Sequence, residues 1–509
     1  MATQLEDLIG SKLVIGFPGT KITPQVIGQF RATHAGGVLF YRINFQSPDQ
    51  LRECISNLEE ALQRKLLVCV DHEGGRVIMY RDGVTIFPDN LAFGHTQNVE
   101  WATKAGTIAA KELRALGTDV NFAPVLDVLT DAYSPNIGIR SYGKDHSLVA
   151  KMGAAYIQAL QAGGVSATAK HFPGKGHAPV DAHLKLPTIL STWKEMKEVH
   201  LQPFIQAIQV GVDVMMSSHP KYPRLDPNPS NIATFSRRII TDCLRDELGF
   251  KGVISSDDLE MGAVTETTTI DIAAVKAVAA GHDLILSCHD FDSERKVFQG
   301  LLEAYRGRLL PLDELEESVE RIHQLKSKRQ QRFEGSPGPD PEGQKTALQI
   351  ASAGTRILQD NAQILPISSS LRQNVGVVFP KLSSFAKKIM IEKDFEDEKT
   401  ALHKRLGHFP GKHVIETYAI DPQETDIALA GQLAIRSSVI LFFCFDAHLF
   451  PNQQKILKAL QNTHTKLIII LMRDPYDQAF LRPSDVGVTA FGFRGCQIEA
   501  VLNTIYGQN

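Results

Sequence analysis

Between Lys170 and His183 the chain gathers two lysines, three imidazoles and one carboxylate into a loop rich in Gly and Pro. A loop that only connects has no need of such chemistry. The strand-like run 165–169 directly before it delivers Lys170 and His171 to a strand's carboxyl end, where barrel and open-sheet enzymes carry their reacting groups. The placement recurs along the first 330 residues. Arg42 follows the second strand-like run, and Asp71-His72-Glu73-Gly74-Gly75-Arg76 follows the third. Asp127 and Arg140 come after the fourth, His219 after the sixth, and Asp257-Asp258-Leu259-Glu260 after the seventh. Such groups converging on one mouth suit a polyhydroxylated ligand, which needs many directional hydrogen bonds.

Taken singly, each residue has a plainer reading. Asp71 or Asp127 serves equally well as a helix cap, Arg76 as a surface cation or a local partner of Glu73, and Asp257-Asp258 as capping carboxylates. A lone His219 before Pro220 is more commonly a satisfied, half-buried imidazole. Joint position at strand ends weighs against these readings. It marks a site and leaves the reaction open.

The elements that must position these groups follow from periodicity. Up to about Lys328, short β-branched or apolar runs alternate with longer helical patterns, which predicts β/α units around a parallel sheet. Eight strands are expected, at residues 13–16, 37–40, 66–70, 119–123, 166–169, 212–217, 252–255 and 283–286. The fold class expected is therefore α/β, with residues 1–330 forming a (β/α)8 TIM-type barrel, whose usual length is ~250 residues before insertions. The Pro- and Gly-rich stretch 331–344 breaks both periodicities and reads as a linker. Residues 345–509 open with a helical run at 346–357. Strand candidates follow at 375–379, 439–445, 466–471 and 486–492, a pattern for a smaller three-layer α/β domain.

With 509 residues the chain is too long for a single ordinary core. A formal charge of −3 gives no general reason to expect nucleic acid or an anionic membrane as partner. The six cysteines are scattered without metal-type pairing, and the first residues lack a basic region followed by an apolar one. The expectation is a cytoplasmic protein with reduced thiols and no membrane insertion. Its oligomeric state is left open. No metal site is expected, because His171, His177, Asp181 and His183 lack a helical ligand spacing, and no organic cofactor is implied.

Three ordered motifs carry a resemblance: 70–77 (Val-Asp-His-Glu-Gly-Gly-Arg-Val), the Lys170 to His183 run, and 249–261, which includes Ser256-Asp257-Asp258. Together they resemble glycoside hydrolase family 3, in its bacterial β-N-acetylglucosaminidase branch, and the likeness spans most of the first domain. Residues 350–366 and 473–477 are similar, more loosely, to the family's second domain. The resemblance implies that Asp257 is the nucleophile and that Asp181 and His183 form a dyad in which histidine replaces the usual carboxylic acid/base. It implies further that Asp71, Arg140, Lys170 and His171 hold the sugar at the cleaved bond, with Arg76 supporting them. The substrate implied is an oligosaccharide ending in N-acetylglucosamine, from muropeptides in cell-wall recycling. Two positions depart from the pattern. His177-Ala178 stands where Asp-Thr is usual, and Ser255 stands where an apolar residue is preferred.

The chemistry agrees with the implied roles. Retention requires an ionised carboxylate beneath the anomeric carbon and a proton donor beside the leaving oxygen, which turns to base in the second step. An imidazole with an ordinary pKa of about 6.5 can do both near neutrality if a neighbour such as Asp181 sets its tautomer. Three other readings remain at this level. In substrate-assisted hydrolysis the acetamido group attacks, with Asp257 and Asp258 as orienter and acid. A β-N-acetylglucosaminide phosphorylase is compatible too, since a histidine, unlike a carboxylate, does not repel incoming phosphate. The third is a catalytically silent carbohydrate-binding protein.

Overall fold

The computed structural model describes residues 2–131, 133–178, 186–328, 332–333, 335, 337–383 and 398–508. The chain folds as two compact units, Met1–Ile86 with Gln97–Gln344, and Phe87–Thr96 with Lys345–Asn509.

In the first unit eight parallel strands close into a barrel in sequence order. They are β1 Leu13–Ile15, β2 Gly37–Phe40, β3 Leu67–Val70, β4 Val120–Asn121, β5 Ser166–Phe172, β6 Val214–Ser217, β7 Val253–Asp258 and β8 Leu284–Ser287. Pairing of Val14 with Leu286 closes the ring. Alternate residues on these strands, among them Leu67, Cys69, Val120, Val214, Met216, Leu284 and Leu286, form one apolar cluster with Phe122, just beyond β4. Because the cluster joins strands from opposite sides of the ring, it fills the barrel interior. Ile322 and Leu325, on the helix Leu312–Ser327, complete it. β4 is shorter than the run 119–123 suggested. It stops before Pro124, which offers no amide hydrogen to a ladder.

Charge at the amino-terminal ends of the strands is structural. Asp119 accepts the Val68 amide and is paired with Arg332, while Asp283 accepts the Ile254 amide and is paired with Arg245 and Arg321. Of the stretch read as a linker, Arg332 also pairs with Glu59, and Asp340 pairs with Lys111.

The second unit is built on a six-stranded sheet with order β11-β10-β12-β13-β14-β9. Its strands are β9 Arg356–Gln359, β10 Val375–Lys381, β11 His413–Ala419, β12 Val439–Cys444, β13 Lys466–Leu471 and β14 Val486–Thr489, all parallel except the β9–β14 pair. One apolar cluster contains Val377, Leu441, Phe443, Ile468 and Ile470, and a second contains Val378, Ile440, Phe442 and Ile469. Successive residues thus bury opposite faces, so the sheet is covered on both sides, as a three-layer domain requires. β9 and β11 escaped the sequence reading. Both are edge strands with partly exposed residues, and neither carries a continuous apolar run. In the same unit His95 stacks on Phe491 with ring centroids 4.2 Å apart, tying Phe87–Thr96 to this domain. Among the described residues no helix is long and apolar enough to cross a membrane.

Candidate active site

The carboxyl end of β3 runs into a tight turn in which Gly74 and Gly75 take φ of 96° and 47°, a region open to glycine at little cost. The Glu73 amide donates to the Val77 carbonyl across this turn at 3.0 Å. That geometry aims Asp71 and Glu73 toward β5, from which Lys170 reaches both. Lys170 Nζ lies 2.6 Å from Asp71 Oδ1 and 2.5 Å from Glu73 Oε1. Arg140, at the end of the 3-10 turn Gly138–Arg140, adds a two-pronged contact to Glu73, 2.8 Å from Nε and 2.6 Å from Nη2.

Two cations and two carboxylates thus interlock, and they are not equivalent. The Lys170 side chain is 1% exposed and Glu73 4%, against 28% for Asp71. Burial works against the charge on Glu73, but Arg140 and Lys170 outweigh it and pull its pKa down to about 2. Asp71, more open, is lifted by burial to about 6 against the pull of Lys170. Glu73 is therefore the fixed anion that holds two cations in place, and Asp71 is the carboxylate left to address a ligand. Glu73→Ala would take the paired carboxylate from buried Arg140 and leave Lys170 with Asp71 alone. It should lower stability by about 3–5 kcal/mol, measured by chemical denaturation, and a loss below ~1 kcal/mol would show that solvent, not Glu73, satisfies them.

His171 is oriented by Asp127. Its Nδ1 lies 2.7 Å from Asp127 Oδ2, and the other carboxylate oxygen accepts the Lys175 amide at 2.6 Å. On the opposite side Nε2 faces Arg140 Nη2 at 3.5 Å, which can only donate, so the ring proton sits on Nδ1. Asp127 is thus no helix cap; it joins His171 to the root of the following loop. That root is narrow, since a Cβ on Gly176 would fall 2.1 Å from the Val128 carbonyl oxygen. Tyr222 donates to the Gly174 carbonyl at 2.9 Å, and the His177 ring stacks on His200 at 4.0 Å.

At the end of β7, Asp257 and Asp258 diverge. The Asp257 carboxylate accepts the Asp258 amide at 2.9 Å, and Lys175 Nζ stands 3.8 Å from its second oxygen. Burial raises its pKa, yet Lys175 and then His219 more than compensate and hold it below the ordinary carboxylate value. Asp258 contacts Tyr41 Oη at 3.2 Å, His289 Nε2 at 3.3 Å and the Glu260 amide at 2.9 Å. Burial, reinforced by Glu260, pushes its pKa up to about 8. The two adjacent carboxyls are thus shifted in opposite directions, the kind of separation that assigns different tasks to neighbouring acids.

Asp71, Arg140, Lys170 and His171 are brought together as one cradle. Arg76 donates to the Pro135 carbonyl at 3.1 Å and so braces the loop that carries Arg140, while Glu73 is taken by Arg140 and Lys170. Asp181 and His183 fall in 179–185, outside the described residues. Glu73 and Asp127 were named only among the groups at strand ends, and Lys175 only within the loop; the sequence reading gave none of them a role in the site. Glu73 and Lys175 stand inside the recognised motifs, the one signal that could have marked them.

Comparison with known proteins gives the same direction. Residues 10–325 match the glycosyl hydrolase family 3 N terminal domain. A protein of Methylobacillus flagellatus named beta-hexosaminidase is 35% identical over 295 residues, covering 57% of this chain and 83% of that protein. A family 3 beta-N-acetylglucosaminidase structure from Paenibacillus sp. superposes with a TM-score of 0.92 at 28% identity, covering 99% of this chain and 97% of that one. A Neisseria gonorrhoeae structure in complex with N-trifluoroacetyl-D-glucosamine superposes with a TM-score of 0.58 at 27% identity, over 67% of this chain and 98% of that one. With a closed barrel, charged groups gathered at the ends of β3, β5 and β7, and a family match over most of the first unit, the chain belongs to glycosyl hydrolase family 3.

Proposed function

We propose that this protein is a retaining exo-β-N-acetylglucosaminidase that removes terminal N-acetylglucosamine, with Asp257 as nucleophile and Asp181 and His183 as the acid/base dyad. The observation that carries the reading is Asp257 itself, a largely buried carboxylate at the barrel mouth whose pKa Lys175 holds below the ordinary value. In the first step Asp257 attacks the anomeric carbon while His183, held by Asp181, protonates the leaving oxygen. In the second step the same histidine takes a proton from water, which hydrolyses the glycosyl ester. Asp71, Arg140, Lys170 and His171 hold the sugar during both steps, and Arg76 supports the Arg140 loop.

Several facts support the acetamido sugar and the place of the reaction. Relatives named beta-hexosaminidase and a neighbour described as a beta-N-acetylglucosaminidase point to this substrate class. The free cysteines suit a reducing compartment, so we infer that the substrate is a muropeptide trimmed in the cytoplasm during cell-wall recycling. Substrate-assisted attack asks Asp258 to be the acid, but Tyr41, His289 and the Glu260 amide already engage both of its oxygens.

Turnover tests the reading directly. A chromogenic N-acetyl-β-glucosaminide should be cleaved far faster than the matching β-glucoside, and comparable rates on the two would refute the acetamido selectivity. Product analysis with and without phosphate completes the test. Free N-acetylglucosamine in both cases is expected, whereas the 1-phosphate would convert the assignment to phosphorolysis.

A further inference from the structure

We propose that Asp127 is a positioning residue that locks the root of the Lys170 to His183 run to the sugar cradle, so that one carboxylate sets His171 and Lys175 together. The inference rests on the reading in which that run carries the acid/base dyad and Asp257 is the nucleophile. Asp127 is 0% exposed, and a carboxylate buried so deeply has to find its partners inside the protein. Oδ1 accepts the Lys175 amide at 2.6 Å. Oδ2 accepts the His171 amide at 3.2 Å and lies 2.7 Å from His171 Nδ1. A backbone amide can only donate, so both oxygens accept whichever nitrogen of His171 bears the proton. The backbone of Asp127 is tied as well. Its carbonyl oxygen accepts the hydroxyl of Ser141, the residue after Arg140, at 2.6 Å.

The residues after His171 are laid onto the same segment. The Gly174 amide donates to the His171 carbonyl at 2.8 Å, and the Ala178 amide donates to the Lys175 carbonyl at 3.0 Å. Between them Gly176 lies against the Val128 carbonyl, where a Cβ has no room. With its amide and carbonyl both engaged, Lys175 extends a side chain that is 3% exposed, and its Nζ comes within 3.8 Å of Asp257 Oδ2. Asp127 and Val128 are therefore the bed for residues 171–178, from which the chain runs on to Asp181 and His183. A displacement of the Asp127 carboxylate would shift an imidazole of the sugar cradle, the cation beside Asp257 and the root of the dyad segment together.

Asp127→Asn separates the two sides of this lock. The side chain keeps its shape, but one end becomes an NH2 group that must face a backbone N–H which also donates. Turned to Lys175 it opposes one N–H; turned to His171, whose Nδ1 bears the ring proton, it opposes two. The carboxamide oxygen should therefore stay with His171, and the Lys175 root should come loose. Misplacing a reacting group by about 1 Å costs on the order of 10²-fold, so kcat on an alkyl N-acetyl-β-glucosaminide should fall by about that factor. Inhibition by free N-acetylglucosamine should weaken by less than about threefold, because the cradle is kept. Hydrogen exchange of the intact protein should rise across residues 173–178 and stay unchanged at the ends of β3 and β7. In the unaltered protein, nitrogen-15 NMR with lysine labelling should show the Lys175 amide protected from exchange. A kcat within about twofold of the parent, or an inhibition constant that weakens as much as kcat falls, overturns the proposal. So does unchanged exchange at 173–178 in the variant, or an unprotected Lys175 amide in the parent. The exchange results do not depend on which groups cleave the bond, so covalent labelling elsewhere than Asp257 would sink the nucleophile and leave the lock standing.

Discussion

Asp257→Ala should lower kcat/KM by on the order of 10⁴-fold or more, since a retaining mechanism has no other route to its covalent intermediate once the nucleophile is gone. The fold should survive, because the side chain, 18% exposed, still reaches solvent and its hydrogen bond to the Asp258 amide is local. A fluorinated N-acetylglucosaminide that forms the intermediate faster than it is hydrolysed should attach to Asp257, read by peptide mass mapping. A label on Asp258 or Glu260 instead would show that the wrong carboxylate has been chosen, and with it the meaning given to Lys175 and His219.

His183→Ala should cost ~10²–10⁴-fold on substrates with poor leaving groups, which depart only when protonated. Aryl leaving groups need little assistance, so on them glycosylation should be far less affected. Asp181→Ala should follow the same trend with a smaller loss, because its task is to keep the imidazole in a usable form. The double variant should be little worse than His183→Ala alone, as expected for two residues acting as one unit. Equal losses on good and poor leaving groups would remove His183 from proton transfer and place it in binding or loop structure.

Much of the frame was legible because burial leaves a periodic signature. The eight barrel strands were readable as short apolar runs, since a parallel strand covered on both faces has no polar side to interrupt it. The same rule hid β9 and β11, whose edge positions leave residues such as Ile357 and Glu416 partly or fully exposed. The insertion Phe87–Thr96 was hidden for a different reason. Its attachment to the second unit runs through His95 and Phe491, which no local pattern connects.

The sequence by itself determined the family, the barrel, and which strand ends carry polar groups, because motif identity and strand periodicity are local properties written over a few consecutive residues. Only the tertiary structure decided how those groups divide the work. Lys170 meets Asp71 across 99 positions of chain, and Tyr41 meets Asp258 across 217. Whether a carboxyl is charged depends on desolvation and on ions within a few ångströms, and those neighbours arrive from other strands. Asp257 and Asp258 are adjacent and chemically identical in the sequence. Lys175 and His219 pull the pKa of the first below the ordinary carboxylate value, while burial, with Glu260 beside it, pushes that of the second above it.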